Sequence, residues 1–147
     1  MRLSTTVRYA ARAMAQIASV DPDRPVSVRE IAEQQAISAS YLEHILKALK
    51  AGGLVQAIRG NQGGYVLARP PGSITLKELY ECLEGSCAPV ACVDCADSCT
   101  RHAICPTRET WVELKEAIEA VLERTTIQHL VERQRRKAIS PAPTYDI

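Results

Sequence analysis

Residues 27–68 constrain the fold more than any other stretch of the chain. Ser27 stands three residues before Glu30, the spacing at which a hydroxyl and a carboxylate can satisfy each other's backbone N–H groups at a helix start. It opens a short helix through about Gln35, with Val28, Ile31 and Ala32 turned inward. After Ala36-Ile37, Ser38 or Ser40 caps a second helix, and Ser40 with Glu43 offers another such box. Leu42, Ile45, Leu46 and Leu49 fall on one face of that helix, and Gly52-Gly53 stops it. Leu54–Ile58 then alternates like a strand and Tyr65–Ala68 reads as a second. The intervening Arg59-Gly60-Asn61-Gln62-Gly63-Gly64 is rich in residues that tolerate positive φ. A helical hairpin alone would be generic. Two short helices followed at once by a strand hairpin predict a winged helix-turn-helix.

The flanks extend this to a mainly α chain. Residues 4–19 form a helix with Ala11, Met14, Ile17 and Ala18 at helical spacing, ended by Asp21-Pro22-Asp23-Arg24-Pro25. Pro70-Pro71-Gly72 closes the hairpin, and Thr75 with Glu78 forms a further capping box, ahead of Leu76, Leu79, Tyr80 and Leu83. After Pro106, Thr107 caps a long helix through about Arg124. Trp111, Leu114, Ile118, Val121 and Leu122 line one of its faces. That stripe has no partner in so small a domain, so it predicts packing on another subunit. Thr125-Thr126 opens a last short helix carrying Ile127, Leu130 and Val131, and the end, SPAPTYDI, is expected to be disordered. The expected organisation is a DNA-binding winged helix-turn-helix over 1–84 and a cysteine-rich sensor loop over 85–106. A dimerisation helix region over 107–132 and a flexible tail over 133–147 follow.

Composition narrows the class. The chain is 46% hydrophobic and 24% charged over 147 residues, as expected for one soluble domain. Its apolar runs fall far short of the ~20 residues that cross a bilayer. MRLSTTVRYAARAM has three arginines and no apolar signal region, which points to a cytoplasmic protein with no membrane partner. The net charge of +1 hides an asymmetry: residues 1–69 hold nine Lys/Arg against five Asp/Glu, residues 70–131 five against ten. A basic front half is consistent with a polyanion but does not by itself require one.

Within a helix-turn-helix, the start of the second helix reads the major groove. Here that start offers Ser38, Ser40, Tyr41, Glu43 and His44, with Lys47 and Lys50 further along for phosphates. Arg59, with Gly60, Gly63 and Gly64 of the wing, suits the narrow minor groove. Singly, Lys47 and Lys50 could equally be a solvated helix face.

All six cysteines fall within residues 82–105, and Cys92, Cys95, Cys99 and Cys105 are separated by two, three and five residues. In a reducing compartment such a cluster serves a metal or redox chemistry more often than disulfides. Converging thiolates on a short loop favour an iron–sulfur cluster, 2Fe–2S or 4Fe–4S. A thiol–disulfide switch is the alternative. Zinc is disfavoured, because Cys92 and Cys95 make one knuckle while Cys99 and Cys105 make a poor second. A small redox enzyme or electron carrier is a reading of another class. It lacks a nucleophile–base pair or a dinucleotide fingerprint in this sequence. Cys82, near Leu79 and Leu83, reads as packed, and Cys87 stays open.

MRLSTTVRYAARAM, ISASYLEHILKALKAGGLV, RGNQGGY and the cysteine segment ending in CPTRETW resemble the iron–sulfur-cluster-regulator family of bacterial winged-helix transcription factors, over about residues 1–132. The resemblance implies a homodimer joined through the long helix, a palindromic operator, and a cluster on three cysteines whose state changes DNA affinity. By position the ligands are Cys92, Cys99 and Cys105. Cys95 is the alternate, because Cys92 and Cys99 lie one residue further apart than is usual in the family. Family positions for a fourth ligand fall on Arg108 and Arg8, and guanidinium groups do not ligate. The fourth ligand is therefore open among Cys95, Cys87, His102 and a carboxylate from the partner subunit. Repression is the expected polarity.

Overall fold

A computed structural model describes residues 3–139. Its α-helices and strands follow in the order α1 (Thr5–Ala18), α2 (Val28–Gln35), α3 (Ala39–Ala51), β1 (Val55–Ile58), β2 (Gly64–Leu67), α4 (Leu76–Glu84), α5 (Ala91–Asp94), α6 (Arg108–Arg124) and α7 (Ile127–Ile139). The fold is mainly α with a winged helix-turn-helix at its front.

Hydroxyl caps set the helix starts. Ser4 Oγ accepts from the Val7 N–H at 3.1 Å, Ser27 Oγ from Glu30 at 3.1 Å and Ser38 Oγ from Tyr41 at 3.3 Å. Ser38, not Ser40, therefore caps α3. The box expected at α2 is only half made, because the Glu30 carboxylate turns to Arg24 at 3.0 Å. At α4 the box is complete: Thr75 Oγ1 accepts from the Glu78 N–H at 3.2 Å, and Glu78 Oε2 accepts from the Thr75 N–H at 2.9 Å. Between α2 and α3 the chain turns through Ala36, at φ 52° and ψ 48°.

The core forms where α1 brings Val7, Ala10, Ala13, Met14 and Ile17 against Leu42, Ile45, Leu46 and Leu49 of α3. Val26, Ile74, Leu79 and Ile127 complete it. β1 and β2 pair antiparallel from Val55↔Leu67 to Ile58↔Gly64. Val26 adds a third short strand, exchanging hydrogen bonds with Tyr65 at 3.0 and 2.8 Å. Gly64 permits this approach, since a Cβ there would collide with the Val26 carbonyl.

The C-terminal half leaves this body and returns to it. Leu76 N–H donates to the Thr125 carbonyl at 2.8 Å and Ile127 N–H to the Ile74 carbonyl at 2.9 Å, so the α6–α7 junction is stitched to the start of α4. α7 then buries Ile127 and Val131 and packs on α1. Its helix continues to Ile139, so residues 133–139, expected in a flexible tail, are helical. The remainder of that tail, 140–147, lies outside the described residues. Among the described residues, α6 buries none of its own side chains. It is held by Lys77 to Glu123 at 3.6 Å and by Lys115 to Asp94 of α5 at 2.7 Å.

Candidate nucleic-acid interface and cysteine loop

The start of α3 presents Ser38, Ser40, Glu43 and His44 to solvent, with Lys47 and Lys50 further along. None of these charged groups makes an ion pair among the described residues. Tyr41 differs. It is half-buried, its hydroxyl shares a 2.7 Å hydrogen bond with Thr6 Oγ1, and Tyr9 meets its ring edge-on at 5.9 Å. Tyr41 thus seats α1 against the head of α3. Arg12 continues that stripe, its guanidinium 5.4 Å from the Tyr9 ring and bonded to the Gln35 side chain at 3.1 Å and to the Gln35 carbonyl. Thr6, Tyr9 and Arg12 escaped the sequence reading, though their i, i+3 recurrence along α1 could have disclosed a shared face.

In the wing, Arg59 is exposed at the end of β1. Gly60 sits at φ 122° and its carbonyl accepts from the Gly63 N–H at 3.0 Å. A Cβ at Gly63 would strike the Ile58 carbonyl, so the turn requires glycine there. The result is a narrow projection with one cation at its root.

The cysteine loop folds as three single turns: α5, then 3-10 turns over Ala96–Ser98 and His102–Ile104. Cys92 lies inside α5, whereas Cys95, Cys99 and Cys105 each follow a turn in extended conformation. Cys92, Cys99 and Cys105 are half-buried and Cys95 is exposed. A hydrogen bond shared by Thr107 Oγ1 and Cys105 Sγ at 3.3 Å, with backbone help, holds the Cys105 thiol below the ordinary range.

Cys82 and Cys87 belong to a different class. Cys82 Sγ fills the space where a Cβ on Gly52 would lie and donates to the Ala48 carbonyl at 3.5 Å. Burial raises its pKa. Cys87 is 4% exposed and its thiol donates to Glu119 Oε1 at 3.7 Å. Burial first, then the Glu119 charge, pushes it up. Both are protonated packing thiols, one between α3 and α4, the other under α6.

Among the described residues, no three His, Cys, Asp or Glu side chains stand close enough together to hold a metal ion. The loop therefore displays its donors without gathering them. Their chemistry nonetheless fits an iron–sulfur cluster: soft thiols on short turns, one of them inclined to ionise, and in the same loop His102, whose Nε2 is buried with no hydrogen-bond partner among the described residues.

Residues 3–133 match the family described as Rrf2, iron-dependent transcriptional regulator. The chain belongs to the Rrf2 family. It is 34% identical over 130 residues to the HTH-type transcriptional regulator CymR of Bacillus subtilis, covering 88% of this chain and 89% of that one. The IscR regulator of Xenorhabdus nematophila is 35% identical over 134 residues, covering 91% and 81%. The solved structure of T. potens IscR is 32% identical with a TM-score of 0.76, covering 99% of this chain and 95% of that one.

The chain is therefore a winged-helix transcriptional regulator, as its front half indicates. No described helix is long and apolar enough to cross a membrane.

Proposed function

We propose that this Rrf2-family chain is a cytoplasmic, homodimeric repressor whose affinity for a palindromic operator is set by an iron–sulfur cluster sensing iron, redox state or nitric oxide. The observation that carries the reading is the seat of the cysteine loop. It joins α4 of the winged helix to α6, and Asp94, between Cys92 and Cys95, grips Lys115 of α6 at 2.7 Å. Any rearrangement of the loop therefore reaches α6, and through it the spacing of two winged helices. Cys92, Cys99 and Cys105 would hold the cluster, with Cys95 as alternate and His102, whose Nε2 has no hydrogen-bond partner among the described residues, as a candidate fourth donor. Bound there, the cluster supplies a centre that oxygen or nitric oxide alters. Reading of the operator falls to Ser38, Ser40, Glu43, His44 and Lys47, while Arg59 with Gly60, Gly63 and Gly64 enters the minor groove. Tyr41 contributes by fixing α1 on α3.

Anaerobic purification followed by a visible spectrum, with operator binding measured before and after oxygen, tests this. A coloured, iron-containing protein whose affinity changes on bleaching is expected. A colourless protein that binds identically in both states would refute it.

A cluster-free thiol switch is the second reading, favoured by one observation. Cys92 and Cys95 sit three residues apart on and after a single helical turn, the second of them exposed. Mass spectrometry of the native protein separates the readings, since a Cys92–Cys95 disulfide and a bound cluster have different masses.

A further inference from the structure

We infer that the second half of α7 is a separate phosphate-contacting surface, which carries the protein's grip on duplex DNA beyond the recognition helix and the wing. The first half of α7 is anchored by Ile127 and Val131. Beyond Val131 every described residue is exposed. Four of the eight are cations: Arg133, Arg135, Arg136 and Lys137. Arg24, Arg29, Arg69, Lys77 and Lys115 each have a carboxylate partner. The four on α7 have none among the described residues. The only acid on this half, Glu132, accepts from Gln128 at 3.0 Å.

Position gives these charges a direction. Arg133 and Lys137, one helical turn apart, line a groove of about 440 Å³ with Arg12 and Gln35, and no acidic side chain lines it. Arg12 bonds the Gln35 carbonyl at the end of α2, three residues before the Ser38 cap of α3. Ala36 and Ile37 alone separate the two. Arg133 and Lys137 thus lie on the flank of the turn that launches the recognition helix, continuous through Arg12 with the DNA-reading end. A row of unpaired cations beside that end, with no base-reading geometry of its own, suits the phosphates flanking an operator. The inference rests on the reading of the chain as a DNA-binding regulator.

The test uses the full chain, an operator duplex obtained by in-vitro selection, the same operator extended by ~10 base pairs on each side, and a random-sequence duplex of the longer length. Wild-type protein should bind the extended operator more tightly than the bare one. The Arg133→Gln/Lys137→Gln variant should lose that advantage and bind random duplex more weakly, while keeping its preference for operator over random sequence. With two phosphates released per protomer at ~0.9 each, the slope of log affinity against log salt should fall by about 3 to 4 for a dimer. Arg133→Lys/Lys137→Arg, which keeps both charges, should behave as wild type, with circular dichroism confirming that α7 persists in each variant. An unchanged slope and unchanged length dependence in the Gln variant would overturn the inference. So would a loss confined to sequence preference, or binding of the patch to an acidic protein with no effect on DNA. Absence of salt-dependent binding by the wild type to all three duplexes would sink the DNA-binding reading itself.

Discussion

Thr107 shows how one hydroxyl can change the chemistry of a neighbour. The sequence places it as the cap of α6, yet its side chain makes no capping bond and pairs instead with Cys105 Sγ. Helix capping by threonine is a local preference, and here the preceding turn offers a competing thiol. The consequence is an ordering of thiols. Cys105 is lowered by Thr107, whereas Cys82 and Cys87 are raised by burial. Because the thiolate is the reactive form, a lowered pKa brings alkylation in at lower pH. In metal-free protein titrated upward in pH with iodoacetamide, mass spectrometry should show Cys105 modified before Cys82 and Cys87. Thr107→Val should move the Cys105 profile to higher pH and leave the other two in place. An unmoved profile would separate the shift from Thr107. Cys82 was readable beforehand from its place near Leu79 and Leu83; Cys87 was not. Its thiol meets Glu119, 32 residues away, and no local pattern encodes that contact.

Ala36 was equally unreadable. Nothing in its identity marks a left-handed residue, which costs a non-glycine about 1–2 kcal/mol. The turn between α2 and α3 imposes it, since the Ile37 N–H must reach the Ala32 carbonyl at 3.1 Å. Ala36→Gly should relieve that strain, less the extra entropy of the unfolded chain, and raise stability by about 0.5–1 kcal/mol in urea denaturation. No gain, or a loss, would show that the turn carries no strain.

At the scale of elements, the winged helix was legible because each part carries its own punctuation. Serines or a threonine open α1, α2, α3 and α4, Gly52-Gly53 ends α3, and the glycines of the wing mark its turn. Two features were not legible. α7 runs on to Ile139 because nothing breaks it, but its residues past Val131 are too polar to show an inward face. The third strand of the wing is a single residue, Val26, paired with Tyr65 across 39 positions, too short to alternate. That pairing makes Gly64 a structural requirement rather than a flexible link. Gly64→Ala must push the Val26 carbonyl away, and overpacking of this kind costs about 1–3 kcal/mol. Equilibrium denaturation should show that loss, and operator affinity should fall with it as the wing shifts. A variant of wild-type stability would mean that the backbone at Val26 yields freely.

For the whole molecule the decisive element is α6, which the chain builds and does not bury. Leu114 is 39% exposed and Val121 47% exposed, and Ala117, Ile118, Val121 and Leu122 border an open groove of about 350 Å³ with no polar lining. An apolar stripe of that length in water calls for a cover, and a second α6 offers the same residues in return, the self-complementary arrangement of a two-fold interface. The sequence already pointed there through the spacing of Trp111, Leu114, Ile118 and Val121. It could not show that the opposite side of α6 is fastened to its own chain by charges, Lys77 to Glu123 and Lys115 to Asp94, which leave the apolar side free. Val121→Glu puts a charge into that stripe without touching the core formed by α1, α3 and Ile127. Each protomer should therefore fold, with helical content intact, and sediment at the 16.1 kDa of one chain, whereas the wild type should sediment at twice that mass. Affinity for a palindromic operator should collapse toward that of one half-site, because the two recognition helices are no longer linked. A Val121→Glu protein that still sediments as a dimer would place the interface elsewhere, and the proposed route from the cysteine loop through α6 to the operator would fail with it.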